Sequence, residues 1–308
     1  GSGGWQLAGL PGLDVHVLRG WPATGTLYAA GYPTAAGVQP VYRSSDGGTT
    51  WAAAGGGLVS DFTGDPLGVH DLALQVGAAP SATPVLYAVA SGTNIARSRD
   101  DGASWTIVHG VREEMATYDC QLHVLGDRLY QGCEAPLDDA WVRRYDVSQR
   151  DQPALGDGSL VIHEIENRRI NGFASFPAHA TAASRLFVGV EGGLVALEPT
   201  GSWRFLHEFT QESPRYTYVR SIWVDPADER HIVFGGGEEH DISDRSGLWE
   251  TTDGGATVRT VQSPLGIDFL RAAVPAAVTT GSDGRQFIML VDEGGGTRRV
   301  IRWAIPAR

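Results

Sequence analysis

The sequence predicts an all-β chain: one six-bladed β-propeller over residues 1–308, built of four-stranded antiparallel blades, the last blade closed by the N-terminal strand. Three observations lead there. An eight-residue turn motif occurs three times, a short apolar strand recurs six times in phase with it, and the chain opens on what reads as a fourth strand lacking the three before it. With 41 Gly, 16 Pro and 42% hydrophobic residues, the composition suits a core with many turns.

The motif is Ser44-Ser45-Asp46-Gly47-Gly48-Thr49-Thr50-Trp51, then Ser98-Arg99-Asp100-Asp101-Gly102-Ala103-Ser104-Trp105, then Thr251-Thr252-Asp253-Gly254-Gly255-Ala256-Thr257-Val258. An Asp carboxylate at the third place accepts hydrogen bonds from turn amides, the Gly at the fifth supplies a positive φ, and the Trp wedges into the core. The pattern resembles the Asp-box, or BNR repeat, of the sialidase-like propellers, and in style the chain is most similar to short extracytoplasmic propellers grouped with photosystem II assembly factors. The resemblance implies that each box clamps the turn between the third and fourth strands of a blade. It implies a structural role for Ser44, Asp46, Gly48, Trp51, Ser98, Asp100, Gly102, Trp105, Asp253 and Gly255.

With the phase known, second strands fall at 26–30, 85–90, 128–131, 185–190, 231–235 and 286–291. Fourth strands fall at 51–53, 105–107, 161–163, 203–205 and 258–260. The sixth is expected from residues 1–12, where Trp5-Gln6-Leu7-Ala8-Gly9-Leu10 reads like the segment from Trp51 to Leu58, completing a blade that ends at Ile301-Arg302-Trp303. Such closure removes free sheet edges.

The net charge of −12 argues against a nucleic-acid partner or an anionic membrane. All 24 cationic residues are Arg, which fits a GC-rich bacterial genome and excludes Lys chemistry such as a Schiff base. No apolar run approaches the roughly 18 residues of a membrane span, and the opening Gly1-Ser2-Gly3-Gly4 reads as a linker or cloning scar. Cys120 and Cys133 suit facing strands of one hairpin. A disulfide there implies an extracytoplasmic location, periplasmic, secreted or surface-anchored; two buried free thiols are the alternative. A closed ring leaves no edge to pair, so a monomer is expected.

Inner strands of a propeller start at the face opposite the box turns, and aligning them gives one polar residue each: Asp14, His70, Asp119, Asn171, Arg220 and Arg271. Acids close the second strands at the same face: Glu134, Glu191, Glu238 with Glu239, and Asp292 with Glu293. No cofactor is expected, apart from Ca²⁺ in the acidic 238–244 loop. Arg and carboxylate groups converging on one concave face make a ligand site.

Two functions compete. The first is a binding or scaffold propeller that takes a protein or glycan ligand on this face. The second is a glycoside hydrolase of the sialidase type, for which the resemblance implies three arginines gripping a carboxylate, a Tyr nucleophile activated by Glu, and an Asp acid/base. Arg220 and Arg271 are candidate arginines with Arg169 in reserve, Tyr218 and Tyr118 candidate phenols, and Glu191 or Glu238 their partner. The family's Arg-Ile-Pro signature is absent; the nearest string, Arg19-Gly20-Trp21-Pro22, lies deep in a strand. A different hydrolase using two of Asp119, Glu134, Glu191 and Glu238 is also open. No Gly-x-Ser-x-Gly elbow occurs.

Overall fold

The computed structural model describes residues 9–21, 24–60, 64–76, 83–90, 92, 94–110, 120–133, 140–165, 169–176, 184–209, 218–237 and 247–261, and the backbone of three strands between 273 and 306. The chain divides into two compact units, Gly1–Pro136 with Val142–Leu160, and Leu137–Trp141 with Val161–Arg308. Among the described residues there is no helix, and so none long and apolar enough to cross a membrane.

Every element is a strand, and each sheet is antiparallel with its strands in simple succession. The first sheet holds β1 (Leu13–Trp21), β2 (Thr26–Pro33), β3 (Val41–Ser44) and β4 (Ala52–Ala53). The second holds β5 (Val69–Gln75), β6 (Val85–Ala90), β7 (Ile95–Ser98) and β8 (Thr106–His109), and the third β9 (Gln121–Leu125), β10 (Arg128–Cys133), β11 (Ala140–Asp146) and β12 (Ser159–Ile165). The fourth holds β13 (Ile170–Ser175), β14 (Leu186–Val190), β15 (Gly193–Leu197) and β16 (Trp203–Glu208), and the fifth β17 (Tyr218–Asp225), β18 (Asp228–Gly237), β19 (Gly247–Thr251) and β20 (Arg259–Val261). A last sheet has three strands, β21 (Ala273–Gly281), β22 (Gly284–Asp292) and β23 (Arg298–Pro306). The expected closing strand at Trp5 lies outside the described residues.

Burial explains why the second strands were the legible ones. β6 (VLYAVA) and β14 (LFVGV) are buried at every position. A sheet covered on both faces needs a continuous apolar run rather than alternation, and each large side chain so buried stabilises by about 1.5–3 kcal/mol. In the first unit Tyr28, Leu58, Leu72 and Leu86 share one core. In the second, Phe187, Leu194, Ile232 and Phe234 share another.

The three box turns make the same bonds. Ser44 Oγ donates to Asp46 Oδ1 (2.7 Å) and accepts from Gly48 N (2.8 Å), while Thr50 gives Asp46 its amide (2.9 Å) and its hydroxyl (2.6 Å). Ser98, Asp100, Gly102 and Ser104 repeat the set, as do Thr251, Asp253, Gly255 and Thr257. Gly48, Gly102 and Gly255 have φ of 91°, 89° and 93°, a region closed to most side chains. Each aspartate thus binds two hydroxyls as well as an amide, which holds Asp46 and Asp253 down at about 2. Trp105 reaches out of its own sheet, its Nε1 donating to Ala54 O at 2.8 Å, whereas Trp51 Nε1 folds back on Gly48 O at 3.1 Å.

Two further ties hold the first unit together, one within a sheet and one between sheets. Cys120 and Cys133 form a disulfide (S–S 2.02 Å) between the residue preceding β9 and the end of β10, both fully buried. The buried Asp71 of β5 accepts from Arg19 Nη2 of β1 (2.6 Å) and Leu72 N (2.8 Å) through Oδ1, and from Leu122 N of β9 (2.8 Å) through Oδ2. Arg19, which the sequence sets deep in a strand, is therefore an inter-sheet tie.

Candidate functional site

The inner strands share a device that alternation of residue types does not reveal. In β1 the ladder to β2 slips between Val15 and Val17, in β5 between Val69 and Asp71, in β13 between Ile170 and Gly172, and in β17 between Val219 and Ser221. Each slip is a β-bulge that leaves one residue unpaired and re-aims its side chain. Those residues are His16, His70, Asn171 and Arg220. In the fifth sheet the bulge lies beside the pair Tyr218↔Gly237, while the box turn follows the pair Ile232↔Thr251 at the other end. In the first sheet it likewise lies beside Asp14↔Tyr32, away from the box that follows Leu27↔Ser44.

Three of the expected residues, His70, Asn171 and Arg220, are therefore bulge residues. In β1 the bulge presents His16, and Asp14 stays in the ladder opposite Tyr32. An alignment by strand start cannot see the extra residue, which shifts the phase. In the last sheet the slip falls between Pro275 and Ala277, downstream of Arg271. Arg271, Asp119, Glu134, Glu238, Tyr118 and the 238–244 loop lie outside the described residues.

The bulges need room, and glycine supplies it. A Cβ on Gly31 would lie 1.8 Å from Asp14 O, and one on Gly236 1.7 Å from Tyr218 O, so any side chain at either place forces the bulged strand away.

In the first unit the bulge residues join into a polar chain. Asp14 Oδ2 lies 3.3 Å from His16 Nε2, the His16 ring meets Tyr32 edge-on at 4.8 Å, and Tyr32 Oη stands 2.5 Å from Nδ1 and 2.7 Å from Nε2 of His70. Gly68 leaves the space that Tyr32 fills, since its Cβ would come 2.3 Å from Tyr32 Cδ1. Sequence reasoning missed His16 and Tyr32; the one available signal was the His at i+2 from Asp14.

In the second unit the centre is Tyr218. Its ring has Arg220 Cζ at 5.3 Å and Arg169 Cζ at 5.8 Å from the centroid, within cation–π range. Glu191, largely buried just past β14, pairs with Tyr218 in an isolated antiparallel bridge, and its amide donates to Arg169 O at 2.9 Å. Asn171 Nδ2 is buried there with no hydrogen-bond partner. Gly189 lets the strands close up, for its Cβ would sit 2.3 Å from Val219 O. Two guanidinium groups on one phenol create a positive field that an anionic group would enter. Among the described residues no group of three or more His, Cys, Asp or Glu could hold a metal ion.

No protein-family model and no curated protein matches this chain. Among solved structures it is similar to the extracellular domain of a B. thetaiotaomicron protein described as a one component system, with a TM-score of 0.54 and 12% identity over 95% of this chain and 34% of that one. The chain thus spans about a third of that structure's length. It is also similar to YCF48 from Cyanidioschyzon merolae (TM-score 0.47, 16% identity, 88% of this chain and 78% of that one) and to the GH74 xyloglucanase from Xanthomonas campestris (0.47, 14%, 95% and 54%). At such identity the first likeness is one of fold alone, an all-β succession of antiparallel sheets.

Proposed function

We propose that the chain is an extracytoplasmic six-bladed propeller that binds a protein or glycan ligand by its acidic groups, at the bulged ends of the inner strands. The carrying observation is Tyr218 flanked by the guanidinium groups of Arg169 and Arg220, on a strand whose bulge presents Arg220. The bulge recurs in two inner strands of each unit, β1 and β5 in the first and β13 and β17 in the second, which supports a built device rather than scattered polar residues. The buried disulfide supports an oxidising compartment. Six blades follow if residues 1–12 supply the fourth strand of the last sheet, beside β23.

A second reading, a glycoside hydrolase of the sialidase type, draws on the backbone bridge that sets Glu191 opposite Tyr218, an acid-bearing residue across from a phenol-bearing one. One experiment separates the two. Wild type and the Arg169→Ala/Arg220→Ala variant are tested for binding to acidic and neutral glycans and acidic peptides, and for turnover of the matching glycosides. Selective binding of acidic ligands, lost in the variant and without turnover, is the expected result. Turnover lost in the variant replaces binding by hydrolysis, and equal binding by both proteins removes this site from either reading.

A further inference from the structure

In the first unit side chains reach from sheet to sheet. Asp101, in the box turn of the second sheet, accepts the Tyr28 hydroxyl of β2 on Oδ1, and its Oδ2 lies 2.6 Å from Arg43 Nε of β3. It reaches there from a φ of 64°, where the other two boxes have Gly47 and Gly254, and is the one non-glycine residue with positive φ among the described residues. In the second unit, at Tyr218, the contact is instead one of backbone with backbone.

Three consecutive carbonyls of the β17 bulge each face a glycine. A Cβ on Gly236 of β18 would lie 1.7 Å from Tyr218 O, one on Gly189 of β14 2.3 Å from Val219 O, and one on Gly172 of β13 3.2 Å from Arg220 O. None of the three glycines has a positive φ, so each supplies space and not conformation. Glycine weakens a strand interior, and its use there marks the close approach of another backbone. Opposite the bulges of β5 and β13 the place of Gly236 is held by Ala90 and Val190, so the approach at Tyr218 is closer than a bulge alone sets.

Since a carbon and a carbonyl oxygen rest about 3.3 Å apart, alanine would displace Tyr218 O by about 1.6 Å from position 236, Val219 O by about 1 Å from 189, and Arg220 O by about 0.1 Å from 172. The first two carbonyls belong to the peptide units between the Cα atoms of Tyr218 and Arg220. A shift there turns one side chain against the other. Arg220 Cζ stands 5.3 Å from the centroid of the Tyr218 ring, and cation–π attraction is confined to about 6 Å, so little movement is needed to part them.

We propose that Gly172, Gly189 and Gly236 are positioning residues of the Tyr218 site, a role that rests on reading that ring as the place where acidic groups bind. They let the bulge lie against β13, β14 and β18, and so hold Arg169 and Arg220 on one ring. Alanine variants at the three glycines are compared with Gly255→Ala, which meets Leu206 Cβ at 2.9 Å and strains a φ of 93° in the box turn at the other end of the fifth sheet. Crystal structures read the distance of each guanidinium from the ring, and fluorescence anisotropy reads the binding of a labelled hexaglutamate peptide. Gly236→Ala and Gly189→Ala are expected to move Arg220 Cζ beyond about 6 Å from the centroid and to weaken peptide binding about tenfold. Gly172→Ala is expected to weaken it less, and Gly255→Ala not at all, in spite of its lower Tm. Should the first two variants not fold, Gly172→Val, whose larger side chain starts from the smallest displacement, is expected to weaken binding, and wild-type affinity in it overturns the proposal. Arginines at their wild-type distances in Gly236→Ala and Gly189→Ala overturn it, as does an equal loss of binding in Gly255→Ala. A wild type that does not bind the peptide removes the acid-binding reading alone, and the crystal distances still decide what the glycines do.

Discussion

Asp101 offers the sharpest test of how the repeats are tied together. Replacing it by Gly removes the carboxylate and relieves the backbone at once. The fully buried Tyr28 hydroxyl then loses its acceptor, which costs about 1–3 kcal/mol. The Arg43 ion pair is about one-third exposed on both sides and adds about 0.5–1 kcal/mol. Against these, Gly recovers about 1 kcal/mol of left-handed strain. The expected net loss for Asp101→Gly is thus roughly 0.5–3 kcal/mol, and Asp101→Ala, which keeps the strained φ, is less stable than the Gly variant by roughly 1 kcal/mol. Urea unfolding followed by tryptophan fluorescence measures both. In the background of Tyr28→Phe the Asp101→Gly loss is expected to shrink, because one of the two bonds is already gone. A Gly variant as stable as wild type refutes the reasoning: the carboxylate would then bridge nothing of energetic weight.

Two further outcomes follow from the same unit. Burial, with help from the Arg19 charge, lowers His123 from 6.5 to about 4. The unfolded chain therefore takes up the proton first as pH falls, and stability declines from about pH 6.5 to about pH 4 by up to roughly 3 kcal/mol; His123→Gln is expected to flatten that slope in urea titrations across pH. Below pH 4 the box aspartates Asp46 and Asp253, held at about 2, continue the loss as they protonate. Opening the disulfide by Cys120→Ala/Cys133→Ala, which frees a loop of sequence separation 13, is expected to lower unfolding free energy by about 3 kcal/mol in chemical denaturation.

What could be read from the sequence was local. The box is a turn whose residues bond to one another, so eight letters carry its whole geometry, and the doubly covered second strands announce themselves as unbroken apolar runs. The cysteine pair was legible because both residues lie on one hairpin. The functional face was legible only in part. His70, Asn171 and Arg220 are polar interruptions near strand starts, but a bulge is a property of two paired strands, so His16 gave no sign that it and not Asp14 is the re-aimed residue. The grouping of Arg169, Glu191 and Tyr218 depends on β14 and β17 approaching across Gly189, a contact no single strand encodes. Asp71 was hidden for the opposite reason: an acid within a strand reads as surface, and its burial is made tolerable by donors more than fifty residues away on either side.

That one carboxylate has a consequence for how the first unit comes apart. Asp71 holds β1 by its ion pair and β9 by an amide, while belonging to β5 itself. Peeling off either neighbour strands a negative charge in an apolar interior, so a partial opening is penalised nearly as much as a complete one. Three sheets that a repeat architecture would let melt in sequence are thereby fused into a single cooperative block.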